Sequence, residues 1–258
     1  MTLSVSGHQP VYLPWLGLFH KIALADVFVV MDDAQYLEQD WNNRNKLKGS
    51  GGAFWLTVPV EQSSAKLKPI RDVRIHTADP WGSMRHWQFN HWRSIERCYR
   101  KAAFWDRYAA SLAELYTRHE HIWLWELNQK MLLLFLDAVG MKTRLVLSSE
   151  IGFTGQKSDL VLDHARRLSA SLCVVGKHGR DYIVEDAFYE AGVSLHFQDY
   201  RHPVYAQRFG DFASHLSVLD LLMNCGPDAR EIICQGNVSK AGLLQLAQGA
   251  PRRIEVAA

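Results

Sequence analysis

The chain lacks any apolar stretch long enough to cross a bilayer. Its longest apolar segment, around residues 122–139, is interrupted by Glu126, Asn128, Gln129, Lys130 and Asp137, and groups of this kind are costly in hydrocarbon. The opening MTLSVSGHQP has neither the basic flank nor the apolar core of a secretory signal. A soluble, cytoplasmic protein with no membrane partner is expected. Charge of one sign is scarce as well: 29 basic against 27 acidic residues leave a net +2, too little for a field that recruits nucleic acid or an anionic surface. The four cysteines, Cys98, Cys173, Cys225 and Cys234, form no C-x-x-C pair. In apolar surroundings they read as buried thiols of a reducing compartment.

Familiar catalytic signatures are missing too. There is no G-x-S-x-G elbow and no cysteine in an electropositive turn, which leaves nucleophilic catalysis with little support. His86, His91, His119 and His121 suggest a metal, but His86 and His91 stand five apart and form no facing pair on a helix. No metal and no cofactor are expected. The tryptophans between Trp81 and Trp125 recur near helical spacing and read as core.

What is present is an α/β pattern. With 258 residues and 48% hydrophobic content, the chain can bury a substantial core. SVSGH, a Pro-punctuated turn, a helical stretch over 16–25 and the run DVFVVM spell a β-loop-α-β unit. A hairpin follows in NKLKGSGGAFWLTVPV, then a short strand DVRIHT. Residues 79–139 read as helical, opened by Asp79-Pro80 and closed by Gly140. Alternation then resumes: TRLVLSS as strand, SDLVLDHARRLSA as a helix with a Ser cap, LCVVG as strand, EDAFYEAG as helix, VSLHFQDY as strand. A helix over 215–224, stopped by Gly226 and Pro227, closes the pattern. The expected fold is a Rossmann-like, open, mostly parallel sheet with a central helical layer. The expected organisation is one α/β domain over 1–226, with a β-hairpin at about 45–76 and a helical insertion at about 79–139, then a C-terminal helix and polar tail over 227–258.

Right-handed crossovers place the loop after the first strand at the carboxyl edge of such a sheet, where ligands bind. His8, Gln9 and Tyr12 there offer an acid/base group and hydrogen-bond donors, with Pro10 and Pro14 limiting the backbone. Asp32 and Asp33, followed by Gln35, leave the second strand at the same edge. WNNRNKLK places Trp41, Asn43, Arg44, Asn45 and Lys48 together as a clamp for an anion and a ring. Lys157 sits at a helix entrance, where free amides attract anions. GKHGRDY leaves a strand through Gly176 and Gly179 and brings Arg180, Asp181 and Tyr182, a weak match to a phosphate loop. FQDYRHPVYAQ contributes Gln198, Tyr200, His202 and Tyr205, more hydrogen-bonding groups than a turn needs.

Taken together, HQPVYLPWLGLFHKI, DVFVVMDDAQY, WNNRNKLK, WLTVPV, QKSDLVLD, GRDYI, FQDYRHPVY and LSVLDLLMNCG resemble the WbqC-like protein family, in order, from about His8 to Gly226. The resemblance implies a role in bacterial surface-polysaccharide or related specialised biosynthesis. It adds Trp15 to the candidate substrate-binding residues. A fainter likeness joins the opening to nucleotidylyltransferase-like α/β proteins, but PWLG stands where their HxGH turn would, which puts nucleotide transfer by that route in doubt.

The leading expectation is a transferase that forms an amide by acyl or aminoacyl transfer to an amine, that of an amino-sugar nucleotide. His8 would be the base, Asp33 its orienting partner, Arg44 or Arg180 the anion holder, and Tyr200, with Tyr182 and Gln198, the group that meets acceptor or oxyanion. The partner is a small molecule, with an acyl or aminoacyl carrier, aminoacyl-tRNA among them, as candidate donor; no other nucleic acid is expected. The alternatives are an adenylate-forming or nucleotidyl-transferring enzyme, and a non-catalytic binding protein for a carrier-linked intermediate.

Overall fold

Short β-branched runs and apolar-striped segments alternate along the chain, and in the computed structural model, which describes residues 2–61 and 67–255, they become strands and helices in turn. β1 (Ser4–His8) leads through α1 (Leu16–Ala23) to β2 (Val27–Val30). β3 (Arg44–Gly49) and β4 (Gly52–Thr57) form a separate antiparallel hairpin closed by the pair Gly49 and Gly52. Gly52 has φ 99°, a conformation open to glycine at little cost. Three longer helices follow, α2 (Trp87–Tyr99), α3 (Trp105–Thr117) and α4 (Leu124–Val139). Then come β5 (Arg144–Leu147), α5 (Ser148–Ile151), α6 (Ser158–Arg167), β6 (Leu172–Gly176), α7 (Glu185–Glu190) and β7 (Ser194–Gln198). The chain continues in α8 (Val218–Cys225), α9 (Ala229–Cys234) and α10 (Lys240–Leu246).

The five central strands lie in the order β5-β2-β1-β6-β7, all parallel. Counting only these strands, this is the 3-2-1-4-5 order of a doubly wound sheet, so the Rossmann-like reading holds. Every residue of β2 is buried, as expected of a parallel strand covered on both faces. Alternation assigns the faces. Val5, Val29, Cys173, Val175, Leu195 and Phe197 meet Leu162 and Ala165 of α6 and Phe188 of α7. Phe28 and Val30 join Leu18, Phe19 and Ile22 of α1 in the larger core shared with α2, α3, α4 and α8. The segment after α10 returns to the sheet: Ile254 donates its N–H to the Leu195 carbonyl at 2.7 Å.

Several local expectations differ from what forms. DVRIHT makes only isolated bridges, Val60 with Ile75 and Arg74 with Trp123, beside a 3-10 turn at Ile70–Asp72. The helical layer starts at Trp87 rather than Asp79, because Gly82 takes φ 85° and interrupts the run. Its cap is His86, whose ring accepts from the Gln88 N–H at 3.3 Å. Ser158 does not cap its own helix; its hydroxyl accepts from the Val184 N–H at 2.9 Å instead. All four cysteines are free, Cys98 and Cys173 buried, but Cys225 and Cys234 only half-buried. Among the described residues no helix is long and apolar enough to cross a membrane.

Candidate functional site

The sheet opens at its carboxyl edge, and the strand registers show where. β1 stays paired to β2 as far as His8 with Val30, and β6 stays paired to β7 as far as Gly176 with Gln198. Pairing between β1 and β6 stops earlier, at Ser6 with Val174, where the Ser6 hydroxyl takes the Val174 carbonyl at 2.6 Å. Beyond that point the two strands part. This gap is the place where the strand order reverses, the position at which open α/β sheets receive ligands.

The loop that leaves β1 is held by the segment that enters the hairpin. The Asn42 amide donates to the Pro10 carbonyl at 3.0 Å and to the Gln9 side-chain oxygen at 3.3 Å. Asn45 donates to the Leu13 carbonyl, and the Tyr12 N–H to the Trp41 carbonyl at 3.0 Å. Asn128 of α4 braces Asn42 from below at 2.8 Å. Leu13 is thereby kept at φ 47°, a left-handed conformation that costs a bulky residue about 1–2 kcal/mol. The asparagines of WNNRN are therefore the fastening of the loop: Asn43 and Asn45 are buried with their amides on backbone carbonyls.

His8 closes β1. Its Nδ1 lies 2.9 Å from the Gln9 carbonyl oxygen, which can only accept, so Nδ1 carries the proton and Nε2 the lone pair. Nε2 has no hydrogen-bond partner among the described residues. Burial, reinforced by the positive charge of Lys21, pulls the ring down to about 4, leaving a neutral imidazole at pH 7. Asp33 does not orient this ring: no hydrogen bond or ion pair among the described residues joins the two, and the acid that His8 senses is Asp40.

From His8 an aromatic row runs outward. His8 meets Trp15 edge-on at 5.2 Å, Trp15 meets Trp41 at 5.5 Å, and Trp41 meets Trp55 at 5.5 Å. The Arg44 guanidinium lies 4.5 Å over Trp55 and donates to the Gln39 carbonyl. Trp15, Trp41 and Arg44 are half-buried and Trp55 is exposed, so the row offers flat faces and a cation to a ligand. Trp15 and Tyr200 flank Gly17, where a Cβ would stand 3.2 Å from one ring and 3.0 Å from the other.

The remaining sequence candidates fall into two groups. Several serve the interior. The buried Tyr12 joins His91 at 2.7 Å and Tyr116 at 2.5 Å. Asp32 takes the Ser149 N–H at 3.0 Å and its hydroxyl at 2.6 Å. Gln198 donates to the Gly17 carbonyl at 3.0 Å and contacts His20 at 2.7 Å, and Tyr200 donates to the Ile233 carbonyl at 3.1 Å. Lys48 reaches Gln207 at 3.1 Å, and Tyr205 donates to Asp220 at 3.0 Å. Gly179 is packed so closely that a Cβ would stand 2.4 Å from Val175. Others lie at the surface without joining the His8 row. Gln35, Lys157, Arg180, Asp181 and Tyr182 are exposed, Arg180 with its guanidinium 5.2 Å over Phe197. His202 is half-buried, with Nδ1 on the Pro203 carbonyl at 2.8 Å. The expected roles of Tyr200 and Gln198 toward an oxyanion are not available to groups so bonded.

Three groups at the edge were not singled out by sequence. Lys21 of α1 is buried, with Nζ 2.8 Å from the Gly7 carbonyl, and burial lowers it to about 8. Lys21 follows His20 near the end of a short helix, which reads as a solvated end, whereas the structure buries every residue from Leu16 to Ile22. His164 of α6 packs beneath Gly7 with Nε2 unpartnered among the described residues, and Trp55 extends the aromatic row. Burial raises all four thiols, Cys173 to about 12, so thiolate nucleophiles are scarce at neutral pH. Among the described residues no group of three or more His, Cys, Asp or Glu is placed to hold a metal ion.

A family model described as the WbqC-like protein family matches residues 9–232. An uncharacterized protein of Mycobacterium tuberculosis, Rv1507c, is 34% identical over 226 residues, which covers 87% of this chain and 95% of the relative. No solved structure matches the chain.

Proposed function

The chain belongs to the WbqC-like protein family, and from that premise and the edge site we propose that it is a biosynthetic transferase joining an activated acyl or aminoacyl group to an amine. The acceptor we assign is an amino-sugar nucleotide, in keeping with the surface-polysaccharide setting that the resemblance implies. The observation that carries this reading is the His8 ring, whose Nδ1–H is fixed by the Gln9 carbonyl at 2.9 Å while Nε2 is a free acceptor.

The chemistry balances on that nitrogen. The acceptor amine forms a C–N bond to the donor carbonyl and releases a proton, which Nε2 accepts. The bond from the carbonyl to the sulfur or oxygen of the carrier then breaks, and the proton passes to that leaving atom. Products are an amide and a free thiol or alcohol. The ring is unprotonated at neutral pH, and because burial weakens it as a base it takes the proton only after the C–N bond has formed, when the nitrogen is more acidic than a free ammonium. The aromatic row of Trp15, Trp41 and Trp55 supports a nucleoside ring by stacking, with Arg44 beside it.

Incubating the purified protein with acyl thioesters or aminoacyl esters and amino-sugar nucleotides tests the proposal, with mass spectrometry for the amide. Wild type should give product and His8→Ala should lose at least a hundredfold in rate, the scale of general base catalysis. Equal rates in both, or ATP–pyrophosphate exchange without amide, would remove the reading.

A further inference from the structure

We infer that the gap between β1 and β6 is a phosphoryl-binding subsite, in which the Lys21 ammonium receives the diphosphate of the substrate. Lys21 is 7% exposed and its Nζ touches one neutral group, the Gly7 carbonyl at 2.8 Å. Among the described residues no carboxylate pairs with it. A buried ammonium without a counter-charge destabilises a fold, and its retention is understandable where a ligand supplies the missing charge.

The position suits that ligand. Ladder pairing between the strands has ended at Ser6 and Val174; Gly7 is the next residue of β1, and Gly176 stands two residues on along β6. A Cβ on Gly176 would stand 3.9 Å from the Lys21 ammonium, so the absence of a side chain leaves that approach open. A second, independent group points the same way. His164 is 3% exposed, its Nε2 has no partner among the described residues, and its Cε1 lies 3.6 Å from where a Gly7 Cβ would be. Lys21 reaches Gly7 from α1 and His164 from α6, on the opposite face of the sheet, so the two groups meet at Gly7. A diphosphate, with several oxygens and more than one charge, can engage such a set where a lone carboxylate satisfies only the ammonium.

The choice of a diphosphate rests on the sugar-nucleotide reading above, whereas the unpaired cation does not. Thermal unfolding of the full chain, with inorganic pyrophosphate against sodium chloride at matched ionic strength, separates them. Wild type should gain several degrees in Tm, saturating with pyrophosphate. Lys21→Met should match or exceed wild type without the anion and gain nothing with it. A gain retained in Lys21→Met, or none in wild type, overturns the subsite. Should that variant fail to fold, the wild-type protein reductively methylated with 13C provides the readout, with the Lys21 resonance assigned by Lys21→Arg. Its titration, near 8 alone, should move up by a unit or more with pyrophosphate; an unmoved titration overturns the subsite. Amide product is scored separately, so a pyrophosphate effect without product removes the amide reading and leaves the subsite standing.

Discussion

The hydroxyl of Tyr99 donates to Oδ1 of Asp220 at 2.9 Å, deep beneath the hairpin. Tyr205 donates to the other oxygen at 3.0 Å, so one buried carboxylate ties α2, α8 and the segment after β7 together. Burial lifts Asp220 to about 6, against the pull of both tyrosines and Lys48. The folded protein therefore keeps a proton that the unfolded chain releases near pH 3.8. Stability from this group is present below that value and lost as pH rises toward 6.

Asp220→Asn removes the titration. Its stability relative to wild type should improve between pH 4 and pH 6, by about 1.4 kcal/mol for each unit of the shift. Urea unfolding at intervals across that range measures the difference. An offset that does not vary with pH would show that Asp220 titrates alike in both states.

Buried histidines act with the opposite sign. His91 is lowered to about 3 by burial, with its Nδ1 on the Tyr12 hydroxyl. Below pH 6.5 the unfolded chain binds a proton that the folded protein refuses, so stability falls as pH drops from 6.5 toward 3. His91→Asn retains an acceptor for Tyr12 without the titration. At pH 5 its stability should depend on pH less steeply than that of wild type, by about 1.4 kcal/mol per pH unit. Identical slopes would contradict the assignment.

The loop carrying His8 depends on Asn42, which bonds Pro10, Gln9 and the Leu37 N–H. Asn42→Ala leaves the Pro10 carbonyl buried without its donor, a loss of about 1–3 kcal/mol. Denaturant midpoints report that loss. If the loop positions His8, the rate with amine acceptor should fall more than tenfold in folded Asn42→Ala, while Asn224→Ala, on a distant helix end, keeps its rate.

The strands were legible because β-branched runs between turn residues have few other uses, and SVSGH, VFVV, RLVL, LCVVG and SLHFQ all form strands; that both halves of the chain share one sheet was not legible and appears only in the pairing. The first half of the candidate site was legible for a related reason: His8, Gln9 and Trp41 belong to two neighbouring loops at one sheet edge after a β-α-β crossover, while Trp15 entered only through the family resemblance. The second half was not. Gln198 and Tyr200 are polar residues at a strand end, yet they face α1 and bond Gly17, His20 and Ile233. Sequence shows that such groups need partners, but not whether a ligand or a helix provides them. Lys21 escaped notice because a lysine on a short helix reads as a solvated end of an amphipathic face, and only the packing on every side of α1 reveals it as buried.

Trp41 sits midway along the aromatic row, between Trp15 and Trp55 at 5.5 Å from each. If the row stacks the nucleoside of the acceptor, its contribution is made alike in the ground state and the transition state, because the ring is remote from the reacting carbonyl. Loss of such uniform binding raises KM and leaves kcat in place. Trp41→Leu should therefore raise the KM for the sugar nucleotide about tenfold, equal to 1.4 kcal/mol and within the range of base–aromatic stacking, with kcat changed less than threefold. The Tyr12 N–H bonds the Trp41 backbone carbonyl rather than its ring, so the fastening of the His8 loop survives the substitution. A variant with lowered kcat and unchanged KM would place Trp41 in the support of His8 and leave the nucleoside elsewhere.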